Sequence, residues 1–426
     1  METSPQTAVS SDDIRSRLQN LQARLSRDGI VKVLPEPTTV SILLDIASVR
    51  FIVTWSDAGV VVKTTVSDAD HWDFGFTVPE SAWNEFAKPE PSPYNNTAQA
   101  IVAQFGMNIV SGDKVKWAQY TPFVERILFC LKPERDRGVA PRLPRKSAIK
   151  ATYLTIDYGG REYRIYYEEA GSGIPMVCLH TNGSDSRQYK YMLEDPELQA
   201  DFRMIAFDMP WCGRSKPPLG HRSERFQMTV DYYIGIIREF IKALGLDKPV
   251  LIGCSLGGDI ILVIAGLISE EFRALCCLEG VLGANPKTPP RRAPWTRHME
   301  VDHSMFLSTW VAGLMSPTSP QDMQDDVLWE YAQGGPGEYN GGAAMLADAM
   351  KSGVVKKLGK SKCPLYVFSG DYDYSAPPEM AKEAADRLGG EFVHLVNMGH
   401  FPMCEDPIKF KTYLMPVLTK IKKQKP

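Results

Sequence analysis

The chain has 426 residues, a net charge of −3 and a hydrophobic fraction of 44%, enough for two domains with separate cores. Its only basic run is the short Lys420-Ile421-Lys422-Lys423 tail, which argues against nucleic acid as the main partner. No apolar stretch reaches the ~20 residues that span a bilayer.

The first thirty residues are polar and charged. They contain no apolar h-region, so no secretory signal is expected. The spacing of Ile14, Leu18, Leu21 and Leu25 predicts an amphipathic helix from Asp12 to about Arg27. Alternation at Val49 to Trp55 and Val60 to Val66, with Gly59 between, predicts a hairpin. Helical patterns follow at about Glu80–Ala87 and Ala98–Phe105, with a turn at Gly112-Asp113. Residues 1–131 thus read as an α+β domain with no catalytic constellation. Its expected role is that of a scaffold or a homodimerisation surface, with binding of a lipophilic molecule or shielding of a site as alternatives. Residues 132–149 are rich in proline and charge and lack periodicity, which marks a linker. A hairpin followed by helices resembles, in plan only, the sterol-carrier-protein-2-like domains.

Residues 150–426 alternate strand and helix. Gly159-Gly160 divides Tyr153–Tyr158 from Tyr163–Glu168 as a hairpin. Strands are predicted at about 175–180, 203–208, 249–254, 274–279, 364–369 and 391–396. That order implies a mainly parallel sheet with helices on both faces. The strand at 249–254 runs into Gly253-Cys254-Ser255-Leu256-Gly257, and a long apolar helix follows. G-x-S-x-G between strand and helix is the context of a nucleophile elbow. The glycines let strand and helix approach, the turn lifts the Ser255 hydroxyl clear of the sheet, and the next N–H, that of Leu256, is aimed at a reacting carbonyl.

From about 282 to 350 the alternation breaks into a long aromatic stretch that includes Trp295, Phe306, Trp310, Trp329, Tyr331 and Tyr339. Gly334-Gly335 and Gly341-Gly342 bracket a segment able to flex as a lid. Most of these aromatics serve such an insertion's own core, and a minority would line an apolar pocket.

A serine nucleophile needs a histidine and an acid later in the chain. His71 lies in the first domain, His180 and His221 precede the serine, His298 and His303 fall in the insertion, and His394 alternates within a strand. His400 remains, in a glycine-initiated loop at the sheet's carboxyl edge, where sites of open α/β sheets form. The acid has three candidates, Asp371 and Asp373 after the strand at 364–369 and Glu279 after the strand at 274–279, and spacing does not choose among them. His298 and His303 stand five apart and do not share a helix face, so no metal is expected. No nucleotide-binding glycine motif appears, and no cofactor is expected. Eight cysteines lie scattered, several in core strands, without framework spacing. They read as reduced thiols of a cytoplasmic protein.

On these motifs, residues from about 150 onward resemble the α/β-hydrolase superfamily, and within it the capped serine esterases and carbon–carbon bond hydrolases. The resemblance implies an α/β-hydrolase fold with a cap at about 282–350. It places the acid at Asp373, with Asp371 second. Its histidine loop matches Gly399-His400-Phe401. Its usual Asp-x-Pro-Gly-x-Gly-x-Ser turn matches Asp208 to Ser215, with Trp211 where glycine is usual and Cys212 where histidine is frequent. It assigns the second oxyanion donor to the backbone N–H of Asn182, in a loop where Thr181 replaces a usual glycine. Trp211, Trp310 and Phe401 are the candidate pocket residues.

The expected function is a serine hydrolase of a small lipophilic ester or lactone, with Ser255, His400 and Asp373 as triad and the N–H groups of Leu256 and Asn182 as oxyanion hole. Epoxide hydrolases and haloalkane dehalogenases of this superfamily carry aspartate where this chain has Ser255. Cleavage of a carbon–carbon bond next to a ketone is the alternative reaction. A small-molecule receptor or carrier with a vestigial triad is the alternative of another class.

Overall fold

The computed structural model describes residues 11–34, 39–132, 144, 146–221, 224–285, 294–334 and 338–424. Most of the expected linker and the early part of the expected cap lie outside these residues. The chain forms two compact units, one of Met1–Asp136 with Lys287–Gly313, the other of Arg137–Pro286 with Leu314–Pro426. The segment expected as a single insertion is thus divided between them.

In the first unit the strands β1 (Val40–Ile46), β2 (Val49–Ser56), β3 (Gly59–Lys63), β4 (Phe74–Val78) and β5 (Val110–Gly112) form a sheet in the order β3-β2-β1-β4-β5. The helix Ser11–Arg27 buries Ile14, Leu18, Leu21 and Leu25, as its spacing predicts. Three elements escape period-based reading. β1 is buried on both faces over much of its length, so it does not alternate. β4 is five residues long and contains a glycine. The helix Lys114–Leu131, capped by Asp113, carries Pro122 in its interior, which reads as a break. Val301 and Phe306 pack on Ala118 of that helix, which is why the segment around them belongs to this unit.

The second unit contains β6 (Lys150–Tyr158), β7 (Arg161–Ala170), β8 (Ile174–Leu179), β9 (Phe202–Phe207), β10 (Val250–Cys254), β11 (Ala274–Leu278), β12 (Leu365–Gly370) and β13 (Glu391–Leu395). Their order is β13-β12-β11-β10-β8-β9-β7-β6. The six strands from β13 to β9 are parallel, and the β6–β7 hairpin adds antiparallel to β9. β10, β11 and β12 are buried at every position, as continuous apolar runs covered by helices on both faces require. The chain reverses its direction of travel across the sheet between β8 and β10, which makes the crevice above their carboxyl ends the expected ligand site. This is the α/β-hydrolase fold.

Candidate active site

At the end of β10 the chain turns through Ser255, at φ 56° and ψ −115°, into the helix Leu256–Leu267. A non-glycine residue at such dihedrals costs on the order of 1–3 kcal/mol and persists only where its surroundings hold it. Here the Ser255 N–H donates to the Leu278 carbonyl at 2.9 Å. The flanking glycines are needed for closeness. A Cβ on Gly253 would stand 2.6 Å from the Gly257 carbonyl oxygen, and one on Gly257 would stand 2.5 Å from that of Leu179. The sharp turn is therefore built into strand–helix packing.

His400 follows β13 and is nearly inaccessible. Its Nδ1 meets Asp373 Oδ2 at 2.5 Å, and its own N–H donates to the Leu314 carbonyl at 2.9 Å. The Cys254 thiol donates to the His400 carbonyl at 3.0 Å, which brings the residue before Ser255 onto the histidine loop. Asp373 is fully buried, and its Oδ1 accepts from the Ser375 N–H and hydroxyl, both at 2.7 Å, and from the Ala376 N–H at 3.0 Å. Burial alone would raise its pKa. The charge and hydrogen bond of His400, with the Ser375 and Ala376 donors, outweigh burial and hold the carboxyl below its ordinary value.

The other acids take different positions. Asp371 bonds His394 Nε2 at 2.6 Å and the Asn397 N–H at 2.7 Å on the exposed side of β13. Glu279 sits at the end of β11 with φ 49°, fully buried. Its Oε2 accepts from the Gly370 N–H at 3.1 Å, and its carboxyl is hydrogen-bonded to Asp373. Two carboxyls so joined must share a proton. Asp373 already accepts from four donors and His400 favours its anion, so the proton belongs to Glu279. Burial first, then the neighbouring Asp373 charge, push the Glu279 pKa well above the usual carboxylate range.

The loop after β8 carries His180, Thr181, Asn182 and Gly183. His180 Nε2 accepts from the Met209 N–H at 3.0 Å, which leaves Nδ1 as the donor to the Thr181 carbonyl at 2.7 Å. His180 is thus a brace within the loop. Thr181 Oγ1 bonds the Tyr331 hydroxyl at 2.6 Å, and Asn182 Nδ2 donates to the Tyr339 carbonyl at 2.8 Å. A Cβ on Gly342 would lie 2.0 Å from Asn182 Oδ1 and 3.4 Å from Leu256 Cδ2, so this glycine sits between the two expected oxyanion residues. A Cβ on Gly341 would meet the Phe226 ring at 2.2 Å. Phe226 stacks on Trp211 with centroids 4.9 Å apart. Trp211 has φ 77°, which accounts physically for the glycine that the resemblance leads one to expect there.

Of the expected pocket residues, Phe401 is buried with its ring edge-on to His400 and Tyr331. Trp310 is buried on the helix His303–Ala312, which belongs to the first unit. The sequence pattern named Tyr331 only as one aromatic of the 282–350 stretch, and it did not mark Phe226 or Glu405. Glu405 Oε1 accepts from the Gly399 N–H at 2.7 Å and the Ser316 N–H at 3.3 Å. Among the described residues no group of three or more His, Cys, Asp or Glu side chains is arranged to hold a metal.

Residues 174–313 match a family profile described as the alpha/beta hydrolase fold. The chain is 26% identical over 268 residues to the soluble epoxide hydrolase of Corynebacterium sp. (strain C12), covering 58% of this chain and 90% of that protein. It is 29% identical over 118 residues to the 2-hydroxy-6-oxononadienedioate/2-hydroxy-6-oxononatrienedioate hydrolase of Klebsiella pneumoniae subsp. pneumoniae, covering 27% of this chain and 39% of that protein. A solved thermophilic esterase from Thermogutta terrifontis superposes with a TM-score of 0.52 at 20% identity, covering 64% of this chain and 100% of that one. The likeness to that esterase is one of fold. Together these findings give the second unit the α/β-hydrolase fold, and the protein is an enzyme whose similar proteins are hydrolases.

Proposed function

We propose that the protein is a serine hydrolase cleaving a neutral, lipophilic ester or lactone through an acyl-enzyme. The observation that carries this reading is the strained Ser255 turn at the end of β10 beside a buried His400 whose Nδ1 meets Asp373 at 2.5 Å. His400 takes the Ser255 proton as the hydroxyl attacks the carbonyl, then gives it to the leaving oxygen. Asp373 fixes the tautomer with the proton on Nδ1 and stabilises the imidazolium. The N–H groups of Leu256 and Asn182 receive the oxyanion. Water, activated by His400, then cleaves the acyl-enzyme.

Two observations shape the substrate. Apart from the Asp373 carboxylate behind His400, the described side chains met around Asn182, Gly342 and His400 are uncharged: Leu256, Phe226, Tyr331 and Phe401. The guanidinium groups of Arg187 and Arg214 in the adjoining loops are held by Asp185, Glu168 and Asp208. Among the described residues a dianionic substrate would meet no unpaired cation there, which favours a neutral one. The epoxide-hydrolase relative does not change the reaction class. A serine that opened an epoxide would be left as an ether, which the water step of an acyl-enzyme cannot cleave. Hydrolysis of a carbon–carbon bond next to a ketone is the second reading, supported by the similarity to the Klebsiella hydrolase. The eight free cysteines fit a reducing, cytoplasmic setting.

The test is a panel of aryl esters, lactones and β-diketones assayed with wild type and Ser255→Ala. Turnover of esters or lactones that vanishes in Ser255→Ala supports the reading. Turnover of diketones alone moves it to carbon–carbon cleavage. Binding without turnover of any member would favour a receptor with a vestigial triad.

A further inference from the structure

Glu405 lies five residues after His400 at the end of the short helix Pro402–Glu405, with no exposed surface. Its two oxygens reach both sides of the histidine. Oε1 accepts from the Gly399 N–H at 2.7 Å and Oε2 from the Phe401 N–H at 3.4 Å. The same carboxyl reaches the segment that follows Leu314. Oε1 accepts from the Ser316 N–H and from the Ser319 hydroxyl, both at 3.3 Å. The Leu314 carbonyl in turn accepts from the His400 N–H at 2.9 Å. The packing leaves no slack. A Cβ on Gly399 would stand 2.2 Å from the Leu314 oxygen and 2.8 Å from Glu405 Oε2. Residues 399, 400 and 401 are therefore all bonded to Glu405 or to Leu314, and Glu405 bonds Ser316 and Ser319 as well.

We propose that Glu405 is a positioning residue for the general base: its carboxylate ties the backbone on either side of His400 to the Leu314–Ser319 segment, and this tie sets where the imidazole stands relative to Ser255. The proposal rests on the reading of His400 as base. Four donors converge on one buried carboxylate, and charge-assisted bonds of this kind are roughly twice as strong as neutral ones. Protonation of Glu405 would turn one acceptor into a donor and loosen the tie. Burial is the largest influence on the group and pushes its pKa up to about 7, against the pull of the Gly399, Ser316, Phe401 and Ser319 donors. The titratable groups facing it are Glu279 at the end of β11 and Cys404 beside it, both held in their neutral forms by burial. His400 itself lies across the loop backbone. The Leu314–Ser319 segment contributes hydroxyls and no charge.

The experiment compares wild type, Glu405→Gln and Ser319→Ala, with Ser255→Ala as control for triad-dependent turnover. The substrate is an aryl ester that the wild type cleaves. Glu405→Gln keeps shape and one acceptor oxygen but cannot ionise. It should lower kcat about tenfold, as a less closely held base would, with KM within about twofold. The acid limb of its log kcat–pH profile should fall with a slope of one throughout, where the wild-type limb should steepen to about 1.5 around the Glu405 titration and return to one below it, as a tenfold loss on protonation requires. Ser319→Ala should lower kcat by about twofold and keep the wild-type limb. Were Glu405→Gln to misfold, the wild-type limb still decides, because a slope of one throughout that limb overturns the proposal. Equal plateaus and limbs in wild type and a folded Glu405→Gln also overturn it. Nitrogen-15 NMR of labelled histidine gives a readout independent of turnover. The wild-type His400 signals should inflect with the Glu405 titration, and that inflection should be absent in Glu405→Gln. A protein inactive on every ester but showing the inflection would sink the hydrolase reading and leave the tie standing. Absence of the inflection in wild type would sink the tie alone.

Discussion

Ser255, His400 and Asp373 belong to one proton-transfer device in the proposed reaction, so their substitutions should not add. Ser255→Ala and His400→Ala are each expected to remove nearly all turnover, and the double variant should be little worse than either. Asp373→Asn should cost on the order of 10⁴-fold in kcat through loss of the tautomer. Asp371→Asn should leave kcat within a few-fold, because Asp371 bonds His394 and Asn397 instead. Steady-state kinetics on the five variants checks both statements, and the reverse ranking of the aspartates would move the role. Spacing in the sequence could not separate these two acids. What separates them is that His394, read correctly as a strand residue, faces outward and takes Asp371 with it, while Asp373 turns inward.

Glu279 makes a second prediction at this scale. Its folded pKa is raised, so between about 4.3, its ordinary value, and the folded value the folded state holds a proton that the unfolded state has released. Stability then falls as pH rises through that window. Glu279→Gln supplies the same donor to Asp373 and the same acceptor for the Gly370 N–H without that proton. It should keep kcat within a few-fold and flatten the fall in melting temperature between pH 5 and pH 8. Glu279→Ala strands a buried N–H and should melt lower at every pH, by about 1–3 kcal/mol in stability. Thermal melts at the two pH values decide, and a pH dependence unchanged in Glu279→Gln would show that the residue is ionised in the fold.

At the level of elements, the segment from Tyr331 to Gly342 and the loop after β8 are built against each other. Thr181 bonds Tyr331, Asn182 bonds the Tyr339 carbonyl, and a Cβ on Gly183 would stand 2.7 Å from the Tyr339 ring. The resemblance expects glycine where this chain has Thr181, and the hydroxyl of that threonine is what reaches Tyr331. Gly342→Ala should drive Asn182 out of place, because its new Cβ would overlap Oδ1. The loss should be on the order of 10²-fold in kcat, the effect of a donor misplaced by about 1 Å, with a melting temperature close to wild type. A variant with unchanged kcat would remove Asn182 from the oxyanion role. Sequence period could foresee the elements of the second sheet, since β8 to β12 are apolar runs and β13 alternates. It could not foresee these loop contacts, because they join residues some 150 positions apart. Nor did it reveal β1, whose two buried faces hide the alternation, or the helix containing Pro122.

For the whole molecule, the division of the chain changes what removal of the first domain should do. Residues 287–313 belong with residues 1–136. Trp295, Met305 and Phe306 pack against the first unit's apolar clusters, Phe306 beside Ala118. A chain that begins near Lys150 keeps that segment and deprives it of its partner surface. Exposed aromatic area of this kind drives association. Such a truncated chain should aggregate or form larger species, read by light scattering. A second truncated chain in which residues 287–313 are also replaced by a short glycine–serine linker should be markedly more soluble. If the chemistry resides in the second unit, kcat per site, with sites counted by a serine-directed phosphonate, should stay within about tenfold of wild type, because domain contacts act through positioning. Equal solubility of the two truncated chains would mean that residues 287–313 do not depend on the first unit. A soluble second chain that reacts with the phosphonate yet turns over no substrate would mean that the first unit supplies part of the machinery of turnover.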